Sequence, residues 1–183
     1  LNAIDREAGK KGIKQKILLR LTPGIDPHTH AKISTGNVDS KFGAAIETGQ
    51  AKELVGLALA KENIALMGYH CHIGSQIFGI DPFIAGIDTI FAFAKTVENR
   101  GYKINTIDLG GGFAATYVKG DVPEPIEKVC AAILDACSEN NKKHQLNVKK
   151  VMIEPGRSMV AEAATTLYTV GYSKKTANKK YVF

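Results

Sequence analysis

The sequence predicts an α/β fold with a parallel sheet, in the form of part of a TIM-type (β/α)8 barrel. Three observations carry that expectation. Short apolar runs of strand length alternate with longer stretches of helical spacing, which is the pattern of βα units. Four of the short runs end in polar or glycine-rich residues, and a barrel of this kind builds its site at the C-terminal ends of its strands. The chain has 183 residues, room for about five strand–helix units, whereas a full barrel runs to about 250 residues. It opens inside a helical pattern and closes inside a strand pattern, so the expectation is a segment of a longer protein.

The elements follow in order. Residues 1–12 read as the end of a helix, and Gly12 suits its stop. Ile17-Leu18-Leu19-Arg20-Leu21 is a buried strand halted by Thr22-Pro23-Gly24. Arg20 inside it either carries its head to solvent or points it into the mouth of a site. A long polar loop runs from His28 to Gly36 and closes on Ser40-Lys41-Phe42-Gly43; loops of that length are often functional. Residues 49–62 place Leu54, Leu57 and Ala58 at helical spacing. Leu66 to Ile73 is the next strand and ends in Gly74-Ser75-Gln76. Asp81-Pro82 opens a helix, with Asp81 as N-cap and Pro82 at the first helical position. Its apolar face holds Phe83, Ile84, Ile87, Ile90, Phe91, Ala94 and Val97, and Gly101 ends it. Ile104 to Leu109 is a strand and Pro125 to Asn140 a helix, on which Cys130 and Cys137 join Ile126, Val129, Ile133 and Leu134 as core. Lys150 to Glu154 is a strand, residues 158–165 are mixed, and Leu167 to Tyr172 is another strand. Tyr181-Val182-Phe183 reads as a strand cut short.

Composition narrows the classes of function. The net charge is +6, but much of the lysine clusters near the two ends and no nucleic-acid motif accompanies it, so no nucleic-acid partner is expected. No apolar run approaches the ~20 residues of a membrane span. No signal-peptide pattern is present, so a cytoplasmic protein is expected. Three cysteines without framework spacing suit a reducing compartment.

The chemical groups gather at the strand ends. Ile107-Asp108-Leu109 runs into Gly110-Gly111-Gly112, whose N–H groups can cradle a phosphate with no Cβ in the way. The same triplet also makes an ordinary tight turn. Alternation puts His70 and His72 on one face of their strand and Cys71 on the other. His72 can therefore lie across the mouth, and Ser75 offers a hydroxyl just beyond. The pairs His28/His30 and His70/His72 raise a metal site, but no carboxylate sits at ligand spacing beside them and none is expected. Glu154-Pro155-Gly156-Arg157 delivers a carboxylate and an arginine through a tight turn. These two either pair with each other or serve a ligand. A glycine cradle, a flat ring, a hydroxyl, a carboxylate and an arginine at consecutive strand ends together suit a phosphorylated aromatic heterocycle. Pyridoxal 5'-phosphate needs that set.

These motifs resemble the barrel domain of the alanine-racemase-like, fold type III pyridoxal-phosphate enzymes. The resemblance covers nearly the whole chain, and residues 1–173 correspond to the cofactor-binding barrel. The glycine triplet and the Glu-Pro-Gly-Arg turn are shared with the ornithine and arginine decarboxylases. The His28-Thr29-His30 loop and the run His70-Cys71-His72-Ile73-Gly74-Ser75-Gln76 are similar to the diaminopimelate decarboxylase branch. The resemblance implies decarboxylation of meso-2,6-diaminopimelate to L-lysine and CO₂, the last step of lysine biosynthesis, by a homodimer with shared active sites; the alternatives are another fold type III basic amino-acid decarboxylase or racemase, or a non-catalytic homologue that binds the cofactor. It implies that His72 stacks on the cofactor ring, that Ser75 and Gly110, Gly111 and Gly112 hold the phosphate, and that Glu154 pairs with the ring nitrogen. Pro155 and Gly156 shape that turn. Arg157 would meet the phosphate and a substrate carboxylate, and Arg20 would support the ring from behind. Glu154 is expected in a dry setting, at the end of a buried strand. The lysine that bonds the cofactor is expected before Leu1. Residues 174–183 are expected to begin the link to a C-terminal β-domain. Ala114-Ala115 replace a glycine usual in the family.

Overall fold

The computed structural model describes residues 1–26, 41–98 and 101–183. A single parallel sheet runs through it. Its strands are β1 (Gln15–Thr22), β2 (Ala44–Ala45), β3 (Ile64–His70), β4 (Thr106–Asp108) and β5 (Lys150–Met152). Their order is β2-β1-β3-β4-β5, and every neighbouring pair is parallel. The expected partial barrel is therefore present as five consecutive parallel strands, with all their C-terminal ends on one edge. The helices are α1 (Asn2–Lys10), α2 (Gln50–Leu59), α3 (Asp81–Glu98), α4 (Ile126–His144) and α5 (Gly156–Val160). No helix among the described residues is long and apolar enough to cross a membrane.

Burial explains the layering. One face of α3 buries Phe83, Ile87, Ile90, Phe91, Ala94 and Val97 as expected, together with Phe93. Each large apolar side chain taken out of water in this way contributes roughly 1.5–3 kcal/mol. Tyr69 on β3 is fully buried and meets Phe93 edge-on, with ring centroids 5.3 Å apart. Ile107 on β4 is buried on the same side of the sheet, since Tyr69 and Ile107 are register partners. The first turn of α3 starts one residue earlier than the sequence suggests. Phe83 and Ile84 N–H donate to the Ile80 carbonyl, which leaves Asp81 inside the helix rather than capping it. Past its other end, Gly101 takes φ +90° and donates to the Glu98 carbonyl.

A bulge sets the phase of β3. Ile17 pairs with Leu66, but Leu18 pairs with Gly68, so Met67 is an extra residue on β3. Gly68 is required there because a Cβ would collide with the Thr106 carbonyl. Beyond the bulge Arg20 pairs with His70, His70 with Asp108, and Asp108 with Met152. Residues in one such row project to the same face. A bulge near a strand end is a means of re-aiming side chains, and here it aligns Arg20, His70 and Asp108.

Several expectations need correction. Leu167 to Tyr172 is not a strand: Leu167 and Tyr168 are almost fully exposed, and the strands lie later, as the antiparallel pair β6 (Ser173–Lys175) and β7 (Lys180–Val182). Among the described residues the apolar run has no neighbouring strand to pair with until Gly171 and Tyr172 bond Phe183. Ile126 and Leu134 are exposed, because the buried stripe of α4 runs through Val129, Ile133, Ala136, Cys137 and Asn140, which leaves both off it. Cys137 is in the core but Cys130 is only half-buried. The helix also continues four residues past Asn140, and Gln145 closes it in the left-handed conformation at φ +53°.

Candidate active site

Hydrogen bonds carry the sheet past its formal ends and so fix the loops that follow. Cys71 N–H donates to the Asp108 carbonyl, Leu109 N–H to the Met152 carbonyl, and Glu154 N–H to the Gly110 carbonyl at 2.7 Å. The His72, glycine-triplet and Glu154 segments are thus laced together at adjacent strand ends. This brings His72, the glycine triplet and Glu154 together; the bonds do not extend to Ser75 or Arg157.

The glycine triplet is packed as well as turned. A Cβ on Gly110 would lie 2.5 Å from the Cys71 carbonyl oxygen, one on Gly111 would strike the Glu154 carbonyl, and one on Gly112 would strike that of Gly74. Gly110 and Gly112 also adopt φ +68° and +98°, where L side chains are strained. The N–H groups are less free than the sequence suggests. Gly110 N–H donates to Asp108 Oδ1 (2.9 Å) and Gly111 N–H to His72 Nδ1 (3.1 Å). Only the Gly112 N–H has no acceptor among the described residues. Asp108, 4% exposed, therefore locks the turn, a role that sequence reasoning missed.

His72 is half-buried. Its Nδ1 accepts from Gly111, so the neutral ring carries its proton on Nε2. Burial first, then Arg20 and His70, hold the imidazole below its ordinary value, against a weaker opposite effect of Glu154. Cys71 faces the other way; burial, reinforced by Asp108, pushes its thiol up to about 12, which leaves it inert as a nucleophile. Ser75 is exposed on the loop beyond. Gln76 ties that loop to the next: its Nε2 donates to the Ala115 carbonyl and its Oε1 accepts from Ala115 N–H, each at 2.9 Å. Ile77 N–H adds a bond to the Gly112 carbonyl. The path through Ala114-Ala115 is thus fixed without the extra glycine.

Glu154 and Arg157 do not pair with each other. Glu154 Oε2 lies 3.4 Å from His70 Nε2. Arg157 Nη1 donates to the Tyr117 hydroxyl at 3.1 Å and stands 5.7 Å from that ring's centre. The Glu154 side chain is 55% exposed, so the dry setting expected for it is not found within this chain; β5 is one of the two edge strands of the sheet and only half-buried. Pro155 precedes the first turn of α5, which begins at Gly156. Arg20 is half-buried, its guanidinium 4.8 Å from the centre of the Phe42 ring. Sequence reasoning also missed His70 as the partner of Glu154 and Tyr117 as the partner of Arg157. An isolated glycine inside the β3 run, Gly68, was the available sign of the bulge that puts Arg20 in one row with His70. Nothing in the spacing pointed to Tyr117. The loop holding His28 and His30 lies outside the described residues.

The model of the pyridoxal-dependent decarboxylase family, pyridoxal binding domain, matches residues 1–161. The chain belongs to this family. Among curated members it is 42% identical to diaminopimelate decarboxylase of Halalkalibacterium halodurans, over 94% of this chain and 39% of the relative. It is 39% identical to the Bacillus subtilis enzyme of that name, over 91% and 38%. The solved diaminopimelate decarboxylase from M. jannaschii superposes with TM-score 0.78 at 34% identity, covering 98% of this chain and 41% of that one. The lysine/ornithine decarboxylase from Vibrio vulnificus, solved with cadaverine, superposes with TM-score 0.64 at 26% identity, over 99% and 42%. The chain thus spans about two-fifths of the length of these family members.

Proposed function

We propose that the full-length parent of this chain is a diaminopimelate decarboxylase, converting meso-2,6-diaminopimelate to L-lysine and CO₂ with pyridoxal 5'-phosphate. The observation that carries this is the lacing of His72, Gly110 to Gly112 and Glu154 at adjacent strand ends. The donor set fits the cofactor. It offers a neutral imidazole held edge-on by the triplet, a Gly112 N–H without an acceptor, an exposed hydroxyl, a guanidinium and a carboxylate. When bound, the cofactor supplies an electron sink for the pair released as CO₂ departs.

The chain's own residues do the rest. His72 would lie against the cofactor ring, its tautomer set by Gly111. Gly112 N–H, Ser75 and Arg157 would hold the phosphate; Gly110 and Gly111 serve by shaping the turn, their N–H groups being occupied. Glu154 would pair with the ring nitrogen and keep a proton there. Arg157, oriented by Tyr117, would also take a substrate carboxylate in its fork. Arg20 would support the ring from the row behind it. Residues 1–173 form the cofactor domain and 174–183 begin the link to a further domain. The parent is a cytoplasmic homodimer with shared sites.

The preference for diaminopimelate over ornithine rests on the Gln76 form of the histidine motif and on the relatives at 39–42% identity. CO₂ release by the purified parent, measured with meso-diaminopimelate, ornithine, arginine and lysine side by side, tests it. Turnover of meso-diaminopimelate alone is expected. Comparable turnover of ornithine would place the protein with the other basic amino-acid decarboxylases of the fold.

A further inference from the structure

We propose that His70 is a positioning residue for Glu154, donating its Nε2–H to Oε2 and fixing the direction in which that carboxylate points. The inference rests on the assignment of Glu154 to the cofactor ring nitrogen and deepens it.

Glu154 needs such a partner. It sits on a short turn after the outermost strand, with its side chain 55% exposed. A glutamate so placed has rotamer freedom that must be lost before it can face one atom consistently. His70 is its opposite. It closes β3 with a side chain only 16% exposed, held in a row between Arg20 and Asp108. A donor on a packed strand is a firmer reference than one on a loop. Behind it lies Asp108, 4% exposed, with Oδ1 already taken by Gly110 N–H. One ring nitrogen of His70 and one oxygen from each carboxylate lie within 4.8 Å of one another. The glycine turn, the buried carboxylate, the imidazole and Glu154 therefore lie close together at the ends of β3, β4 and β5. The 3.4 Å separation is long for a hydrogen bond, and such contacts commonly shorten once the ligand is in place.

The register of the sheet makes this possible. His70 pairs with Asp108 and Asp108 with Met152, two residues before Glu154, and residues in one row share a face. The bulge at Met67 brings Arg20 into the same row, since without it Arg20 would pair with Tyr69. Gly68, which a side chain would force against Thr106, lets β3 lie against β4 in that register.

The test uses the full-length parent loaded with pyridoxal 5'-phosphate, in four forms: His70→Ala, His70→Gln, Glu154→Gln and the Ala/Gln double variant. His70→Ala is expected to lower kcat roughly tenfold with KM within about twofold, the pattern of an interaction made in the transition state. It should also shift the pH midpoint of the bound cofactor's absorbance, which a purely structural residue would not do. His70→Gln, whose amide donates from nearly the same place, should recover most of kcat and the midpoint. In the Glu154→Gln background the His70→Ala change should have almost no further effect, since the two act as one unit. Additive losses, or an unchanged absorbance midpoint in His70→Ala, would overturn the proposal while leaving Glu154 in place. A silent Glu154→Gln would remove both. Loss of activity in chelator, restored by a divalent metal, would make His70 a ligand instead and also overturn it. If His70→Ala does not fold, His70→Asn, whose amide falls short of Oε2, takes its place with the same expected outcome.

Discussion

Glu154→Gln in the full-length parent is expected to lower kcat about thirtyfold while the cofactor stays bound. The change keeps the side chain's length and its ability to accept a hydrogen bond, and removes only the charge. A carboxylate ~4 Å from a protonated ring nitrogen contributes ~1 kcal/mol in water and ~4 kcal/mol at an effective dielectric constant of about 20. Glu154 is 55% exposed in this chain alone, and the cofactor and the rest of the parent would cover part of it, so the interaction falls between those limits, at ~2 kcal/mol. At about 1.4 kcal/mol per factor of ten, that is about thirtyfold in rate. The phosphate contacts assigned to Gly112, Ser75 and Arg157 are untouched, so cofactor content should hold. The assay measures kcat, cofactor absorbance and melting temperature on one preparation. If Glu154 served only to pair with His70, the melting temperature would fall and kcat would change little. A kcat within about twofold of the unmodified protein would refute the reasoning.

Other outcomes follow from the same geometry. Gly68→Ala should cost ~2–3 kcal/mol of stability, because the new methyl meets the Thr106 carbonyl in the sheet; an unchanged denaturation midpoint would contradict the bulge. The His72 imidazole is held below its ordinary value of 6.5, so the unfolded chain takes up the proton first as pH falls. Its contribution to stability is complete above about pH 6.5 and declines from there toward the depressed folded value. His72→Gln should flatten that decline in denaturation midpoints measured at stepped pH, and an identical slope would argue against it. Residues 1–183 incubated with pyridoxal 5'-phosphate and reduced with borohydride should carry no single stoichiometric label on lysine, since the bonding lysine is assigned outside them; one labelled lysine would overturn that assignment.

The parts of this chain that repeat a simple period were legible in the sequence. The face of α3 follows from its 3.6-residue spacing, and the strands carrying Arg20, His70 and Glu154 were placed to within a few residues. His70 and His72 fell on one face and Cys71 on the other because alternation decides it. What depends on two chains of atoms meeting was not legible. The occupied N–H groups of Gly110 and Gly111 depend on where Asp108 and His72 arrive, and only the packed structure sets that. The partners of Glu154 and Arg157 likewise come from β3 and from the loop at Tyr117, 84 and 40 residues away in sequence. Leu167 to Val170 have strand-like composition but no strand to pair with among the described residues, and composition alone does not supply one. Leu134 is apolar but lies off the buried stripe of α4, which shows that hydrophobicity without phase is a weak guide.

The most direct measurement is a crystal structure of the full-length parent with pyridoxal 5'-phosphate bound. Glu154 is expected within hydrogen-bond reach of the ring nitrogen, His72 against the ring face, and the Gly112 N–H on a phosphate oxygen. A cofactor seated elsewhere, or a ring nitrogen facing any group other than Glu154, would contradict the site described here.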